Sequence, residues 1–182
     1  MRNRYIGVTL LAALSFTAGQ HIYSREMADD REEVLRIQNE INQLKEELVA
    51  IKDTIAFQSS LTKALENMKE QETVIFDKVS LNEGNAYDKT SGIFTAPMDG
   101  IYSFTWSMLT QKGKYFVSDI VRNGHKVASN YSDGRGHDHG SMSTEHANIK
   151  MKKGDKVWIR TRGTWGQYAH GGDWCSFSGV KL

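Results

Sequence analysis

The most constraining stretch of this 182-residue chain is residues 102–108, where large apolar residues alternate with Ser or Thr. The apolar positions are Tyr102, Phe104, Trp106 and Met108. Successive side chains of a β-strand point to opposite faces, so this alternation predicts a strand with one face in a hydrophobic core. Turn-forming pairs recur further along the chain, at Asn123-Gly124, Asp133-Gly134, Gly154-Asp155 and Gly171-Gly172. Short strands separated by such turns predict an all-β sandwich or jelly roll.

The segment before these strands has a helical periodicity instead. Its apolar residues lie alternately three and four positions apart, at Val34, Ile37, Ile41, Leu44, Leu48, Ile51 and Ile55. This is the heptad pattern of a coiled coil, and Ile at both seam positions favours three or more helices over two. The pairs Glu40 with Lys45 and Glu47 with Lys52 fit parallel helices in register. We expect a trimeric coiled-coil stalk over residues 20–72; the alternative is one amphipathic helix lying on the head.

Residues 1–19 have the features of a secretory signal peptide. Two arginines precede an apolar run that is too short to span a bilayer, and small residues close the segment. We therefore expect cleavage after Gly19 and a secreted, extracellular protein without a membrane span. Asn130 begins an Asn-x-Ser acceptor sequence for N-glycosylation, which agrees with export. Cys175 is the single cysteine, so the chain cannot form an intrachain disulfide.

The aromatic residues that follow residue 73, together with one Asn and one Gly, have a recognisable spacing. The positions are Phe76, Asn82, Tyr87, Phe94, Gly100, Tyr102, Phe104 and Trp106. In this order they resemble the signature of the complement C1q globular-head family, whose last position is Phe or Tyr; Trp106 departs from that choice but stays aromatic. Residues 153–158 and 177–179 match two later motifs of the same family, so the resemblance covers residues 73–182.

This resemblance implies a head over residues 73–182 that is a jelly roll of about ten antiparallel strands and assembles as a trimer. It also implies that the matched aromatic residues form the core and do not bind a ligand. The sequence lacks a Gly-x-y repeat, so the chain looks like the collagen-free members of the family. Those members include cerebellin-like secreted proteins and the lectin-like C1q-domain proteins of invertebrates.

A loop rich in glycine and histidine is the first candidate binding site. Its metal-ligand candidates are His137, His139, Glu145 and His146. In an extended chain His137 and His139 would project to one side, where they could bind Zn²⁺ or Cu²⁺ with help from the other two or from a neighbouring subunit. The alternative is a polar surface loop in which the glycines supply turns.

A second candidate site lies in the glycine-rich segment 165–174. Its ligand-binding candidates are Trp165, Gln167, Tyr168, His170 and Asp173. Aromatic faces stack on the apolar faces of sugars, and the polar groups can hydrogen-bond hydroxyls, so the segment predicts a glycan or acidic-sugar site. The alternative is that Trp165 and Tyr168 cap the sandwich or pack at a trimer interface.

Acidic loop residues form a third candidate site, for Ca²⁺ as in some members of the family. They are Asp88, Asp99, Asp133 and Asp173. An EF-hand loop that began at Asp133 would require Glu at its twelfth position, where this chain has Thr144. The spacing therefore offers Ca²⁺ no support beyond the presence of the carboxylates.

The sequence contains no G-x-S-x-G, H-E-x-x-H or P-loop motif, and we expect a protein that is not an enzyme. A net charge of +1 gives no overall reason to expect a nucleic-acid partner. The leading hypothesis is a secreted trimeric recognition protein, of lectin-like or innate-immune type, that binds glycans, microbial surfaces or an extracellular receptor. Its alternatives are an extracellular metal-binding or matrix protein and a cytokine-like receptor ligand of tumour-necrosis-factor type.

Overall fold

The structure is a computed structural model that describes residues 25, 27–49, 54–163 and 166–182. The chain divides into two compact units, Met1–Lys52 and Asp53–Leu182, and we call the second unit the head. The predicted signal peptide over residues 1–19 and the candidate ligand residue Trp165 lie outside the described residues.

Helix α1 covers residues 27–49 in the first unit, and all of its residues are exposed. The described residues of the apolar seam are between 40% and 64% exposed. They are Val34, Ile37, Ile41, Leu44 and Leu48. The structure confirms a helix here, while the coiled coil stays a prediction. No helix among the described residues is long and apolar enough to cross a membrane.

The head starts earlier than the predicted boundary at Thr73. Ile55, expected at the helical seam, is 2% exposed and belongs to the core of the head. It is followed at once by strand β1, Ala56–Ser60, in which every second residue is buried. Ile55 satisfies both a heptad step from Ile51 and the twofold alternation with Phe57. Burial of the alternating side chains decides in favour of the strand.

Two five-stranded antiparallel sheets form the head. The first has the order β3-β1-β12-β6-β9, and the second has the order β4-β5-β10-β7-β8. The further strands of the first sheet are β3 (Lys78–Glu83), β6 (Gly100–Thr110), β9 (Ser141–Met151) and β12 (Ser176–Lys181). The strands of the second sheet are β4 (Tyr87–Asp88), β5 (Ile93–Thr95), β7 (Tyr115–Arg122), β8 (His125–Asp133) and β10 (Lys156–Thr161). Strands β2 (Leu65–Glu66) and β11 (Tyr168–Ala169) form a separate pair. These ten sandwich strands confirm the predicted all-β jelly roll.

The aromatic residues of the family signature lie between the two sheets. Phe94 is central, with its ring centroid 5.3 Å from that of Tyr102 and 5.2 Å from that of Phe104. Strand β12 passes this cluster at Gly179, where a Cβ atom would lie 2.6 Å from ring carbons of Phe104 and Phe57. Only a residue without a side chain therefore fits at position 179.

Asn130 is buried inside the head, which contradicts the predicted glycosylation. The residue is 1% exposed, and its Nδ2 donates to the carbonyl oxygens of Trp106 and Ser143, each at 3.3 Å. Its Oδ1 accepts a hydrogen bond from the Ser143 hydroxyl. A glycan on Nδ2 would replace one of these bonds and would need space that a close-packed interior does not offer. The folded head therefore excludes a glycan at this residue.

Candidate functional site

Loops from both sheets meet at one end of the head, which we call the loop end: residues 111–114, 134–140, 162–163 and 166–174. The Gly113 amide donates to the Gly134 carbonyl at 2.9 Å, and the Gly134 amide donates to the Lys114 carbonyl at 2.8 Å. A Cβ atom on Gly134 would lie 2.4 Å from the Gln111 carbonyl oxygen. Glycine at position 134 therefore allows the first two loops to pair closely.

Arg135 is held by charged and aromatic groups at the loop end. Its Nε lies 2.8 Å from Asp133 Oδ1, and its Nη2 lies 2.9 Å from Asp133 Oδ2 and also donates to the Tyr131 hydroxyl. The guanidinium carbon is 4.4 Å from the ring centroid of Tyr115. Hydrogen bonds from Arg135 keep the pKa of the Asp133 carboxyl well below its usual range. The pair is thus charged and bidentate, which fixes the start of loop 134–140.

His137 and His139 lie beside each other, in a bend and not in the extended chain that the prediction assumed, and the other two metal candidates do not join them. Both histidines are exposed, with ring centroids 5.8 Å apart and ring planes 15° apart. Glu145 and His146 are adjacent on β9 and so project to opposite faces of the sheet. His146 Nε2 lies 2.7 Å from Ser103 Oγ. Across the described residues there is no group of three or more His, Cys, Asp or Glu that could hold a metal ion.

The acidic residues proposed for Ca²⁺ are engaged separately by their own neighbours. Asp88 accepts from the Ser91 hydroxyl at 2.7 Å, and Asp99 accepts from the Lys153 amide at 2.8 Å. Asp133 is paired with Arg135, as described above. These carboxylates belong to different turns and do not form a common oxygen cage, which Ca²⁺ would require.

Gln167 supports the loop and does not face a ligand, which corrects its predicted role. Gln167 is buried, with 1% of its surface exposed. Its Oε1 accepts from the Val117 amide at 3.1 Å, and its Nε2 donates to the Gly163 carbonyl. Gln167 therefore ties Gly163 to β7.

The other described candidates of segment 165–174 are partly accessible. Tyr168 and His170 are half-buried and contact each other edge to face, with ring centroids 4.9 Å apart. Asp173 is exposed, and it accepts from Ser60 Oγ at 2.7 Å and pairs with Lys78 Nζ. The hydrogen bond from Lys78, followed by that from Ser60, lowers the pKa of Asp173 below its ordinary value. Asp173 thus anchors the last loop before β12.

Trp174 is the residue of this loop that sequence analysis did not single out. It is 60% exposed, although Trp is normally a strongly buried residue type. It lies directly after anchored Asp173, which has a left-handed φ of 70°, and two residues before β12. The signal was present in the sequence as an aromatic residue beside a Gly-Gly turn. Trp174 lies in the bend before β12, where it is exposed while its neighbour Cys175 is buried.

The head is thus a two-sheet jelly roll with exposed aromatic and polar groups on its loops. Residues 56–181 match the family model described as the C1q domain, so the chain belongs to the C1q domain family. The match begins with β1, in agreement with the start of the head in the structure. This confirms the resemblance that the aromatic spacing indicated.

Known proteins show the same relationship. The chain is 38% identical over 109 residues to complement C1q tumor necrosis factor-related protein 3 of Mus musculus; the match covers 58% of this chain and 42% of that protein. It is 29% identical over 144 residues to the heavy metal-binding protein HIP of Mytilus edulis, covering 79% of this chain and 67% of that protein. The globular domain of zebrafish complement 1qA shares the fold, with a TM-score of 0.58 at 16% identity, over 70% of this chain and 97% of that one.

Proposed function

We propose that the chain is a secreted, homotrimeric and non-enzymatic recognition protein that binds glycans through its loop end. The observation that carries the proposal is the 60% exposure of Trp174 on an anchored loop. An indole held in solvent offers a flat apolar face that can stack on the C–H face of a sugar ring. Tyr168, His170 and Asp173 of the same segment supply hydroxyl, imidazole and carboxylate groups for hydrogen bonds.

Two exposed apolar surfaces support self-association. The seam of α1 is exposed along its described length. In the head, Ile101, Met142 and Val180 lie on the outer face of the first sheet and are 49%, 50% and 44% exposed. Burying both surfaces between copies would remove this apolar area from water. Three heads in one assembly would then bind a multivalent surface with avidity.

A glycan-array screen of the secreted protein, with and without divalent metal, tests the binding role. Trp174→Ala should lose binding to the glycans that wild type recognises. Leu81→Ala is the matched control, because Leu81 is also an exposed apolar residue, at 41%, but lies on β3. Absence of glycan binding by wild type, or equal loss in the two variants, contradicts the proposal. N-terminal sequencing of the secreted protein tests cleavage after Gly19.

Metal binding is a second candidate function, favoured by the stacked pair of His137 and His139. A relative whose name describes heavy-metal binding supports the same reading. Two neutral imidazoles provide half of a tetrahedral Zn²⁺ shell, so another subunit or water would have to complete it. Calorimetry with Zn²⁺ should show heat for wild type and for His125→Ala, and none for His137→Ala/His139→Ala. Equal heats for all three proteins would remove this candidate.

A further inference from the structure

A groove lies at the other end of the strands, between the β7–β8 hairpin and the end of β9. It has a volume of about 380 Å³, and its polar lining residues are Arg122, Asn123, His125, Lys126, Asn148 and Lys150. An adjoining cavity of about 260 Å³ shares Arg122 and Lys150 with it. The two cavities adjoin at these residues, and we call them together the basic groove.

The basic groove carries excess positive charge although the whole chain is nearly neutral. No acidic residue lines the larger cavity in the described part of the chain. The acids of the smaller cavity are balanced, since Asp99 lies 3.5 Å from Lys152 and Asp155 lies 3.9 Å from Arg122. The side chains of Lys126 and Lys150 form no ion pair with any described residue. Two exposed ammonium groups are thus left for an external anion.

The groove is built on a fixed framework. Arg122 Nη1 donates to the Lys150 carbonyl at 2.6 Å, which ties the end of β7 to β9. The β7–β8 turn is closed by Asn123 and Gly124, with φ of 49° and 83°, as a two-residue hairpin of this type requires. Asn123 Nδ2 also donates to Asp155 Oδ1 at 2.9 Å. The cationic residues therefore lie on paired strands and do not depend on a loose loop.

We propose that the basic groove binds an anionic polysaccharide. Two adjoining cavities can hold successive units of a linear chain, and the cations can pair with its sulfate or carboxylate groups. Val127, which is 44% exposed, offers an apolar surface to sugar rings, and the exposed Asn148 amide can donate to and accept from hydroxyls. Among the described residues no Phe, Tyr or Trp lines the groove, so it lacks the large aromatic surfaces on which nucleic-acid bases usually stack.

This site is separate from the loop end proposed above. Tyr115 and Arg122 stand at opposite ends of β7, which places the two regions roughly 23 Å apart at the usual rise per strand residue. The inference therefore does not rest on glycan binding by Trp174. Failure of one site leaves the other testable.

Binding to immobilised heparin, measured as a function of NaCl concentration, tests the proposal on the full chain. Lys126→Gln/Lys150→Gln should weaken heparin binding about tenfold, because it removes the two unpaired cations. The matched control is Lys69→Gln/Lys89→Gln, which removes the same charge at two exposed residues outside the groove. This control and Trp174→Ala should bind as wild type does. Desulfated heparin distinguishes the anions, since retained binding assigns carboxylates and lost binding assigns sulfates.

Three results would overturn the proposal. Wild type that binds neither heparin nor desulfated heparin at low salt has no such site. Equal weakening in both double variants would mean that only overall charge matters. A groove variant whose sedimentation differs from wild type would show that the groove is a contact between copies of the chain.

Discussion

The guanidinium carbon of Arg135 lies 4.4 Å from the ring centroid of Tyr115 and so caps one side of that ring. The same ring borders the next loop, because a Cβ atom on Gly163 would lie 3.1 Å from the Tyr115 hydroxyl. A Cβ atom on Gly166 would lie 3.7 Å from a carbon of the ring. Tyr115 is therefore a contact shared by Arg135 of loop 134–140 and by Gly163 and Gly166 of the next loop.

Arg135→Ala should loosen loop 134–140 without unfolding the head. It removes the cation above Tyr115 and the bidentate pair with Asp133, both at the surface. We expect faster amide hydrogen exchange in residues 136–140 and weaker ligand binding at the loop end, with little change in the thermal midpoint. The control is Lys112→Ala, which removes an exposed ion pair with Asp138 in the same region. Equal acceleration in both variants would contradict a special role for the Tyr115 contact.

The core could be predicted from sequence because burial there follows local alternation. Tyr102, Phe104 and Trp106 repeat every second residue, and each is 0% exposed. Ile55 could not be assigned locally, because a heptad step and a strand alternation both fit it. The decision came from Phe57, whose ring stacks 4.6 Å from that of Tyr87 on the other sheet. Phe57 and Tyr87 lie far apart in the sequence, so a local pattern does not reveal their contact.

The candidate site was less predictable because exposure of a polar residue depends on distant backbone. Gln167 was predicted to bind a ligand from a loop. Its side-chain Oε1 instead accepts a hydrogen bond from the backbone amide of Val117, fifty residues away. Asn130 begins an acceptor sequence for N-glycosylation, yet its side-chain amide donates hydrogen bonds to two carbonyl oxygens inside the head. No local pattern reports these bonds. His137 and His139 were predicted together because their separation along the chain is short.

Replacing seam residues of α1 should weaken self-association. Ile41→Asn/Leu48→Asn removes apolar burial worth about 1.5 to 3 kcal/mol per side chain if the seam is an interface. Sedimentation of wild type should give a trimer or a multiple of three, and the variant should dissociate at higher concentration. Leu35→Asn/Val49→Asn is the control, because these residues are 64% and 60% exposed but lie off the seam. A monomeric wild type, or equal dissociation of both variants, would contradict the coiled coil.

The buried thiol of Cys175 should make the head sensitive to alkaline pH. Burial raises the thiol pKa to about 11, from an ordinary 9.0, so the folded state disfavours the thiolate. The thiol's contribution to the free energy of unfolding is therefore full well below pH 9. It is lost as pH rises through 11, by about 3 kcal/mol in all for two pKa units. Urea unfolding between pH 8 and pH 11 measures this loss. Cys175→Ala should show a shallower pH dependence; an identical slope would contradict the assignment.

Labelling of the same thiol provides a second measurement. Cys175 is 0% exposed, and its sulfur accepts from the Leu109 amide at 3.2 Å. Iodoacetamide at pH 8 should therefore modify unfolded but not native protein. Rapid labelling of the native head would show that strand β12 opens near this residue.

Trp106 should stabilise the head through a hydrogen bond as well as through packing in the core. Its Nε1 donates to Ser118 Oγ at 3.1 Å, joining β6 of the first sheet to β7 of the second, and both residues are 0% exposed. Trp106→Phe restores the aromatic type of the family signature but leaves this hydroxyl unpaired, which costs about 1 to 3 kcal/mol in addition to lost packing. Trp158→Phe, at a half-buried position on β10, is the control for the change of residue type.

A double-mutant cycle with Ser118→Ala separates the hydrogen bond from packing. With the hydroxyl already removed, Trp106→Phe should destabilise the head by about 1 kcal/mol less than it does in wild type. Denaturant unfolding of the four proteins measures the difference. Strictly additive effects would show that the indole fills space without bridging the sheets. A coupling of the expected size would explain why this chain has Trp where the family pattern has Phe or Tyr: the indole N–H pairs with a serine that the opposite sheet buries.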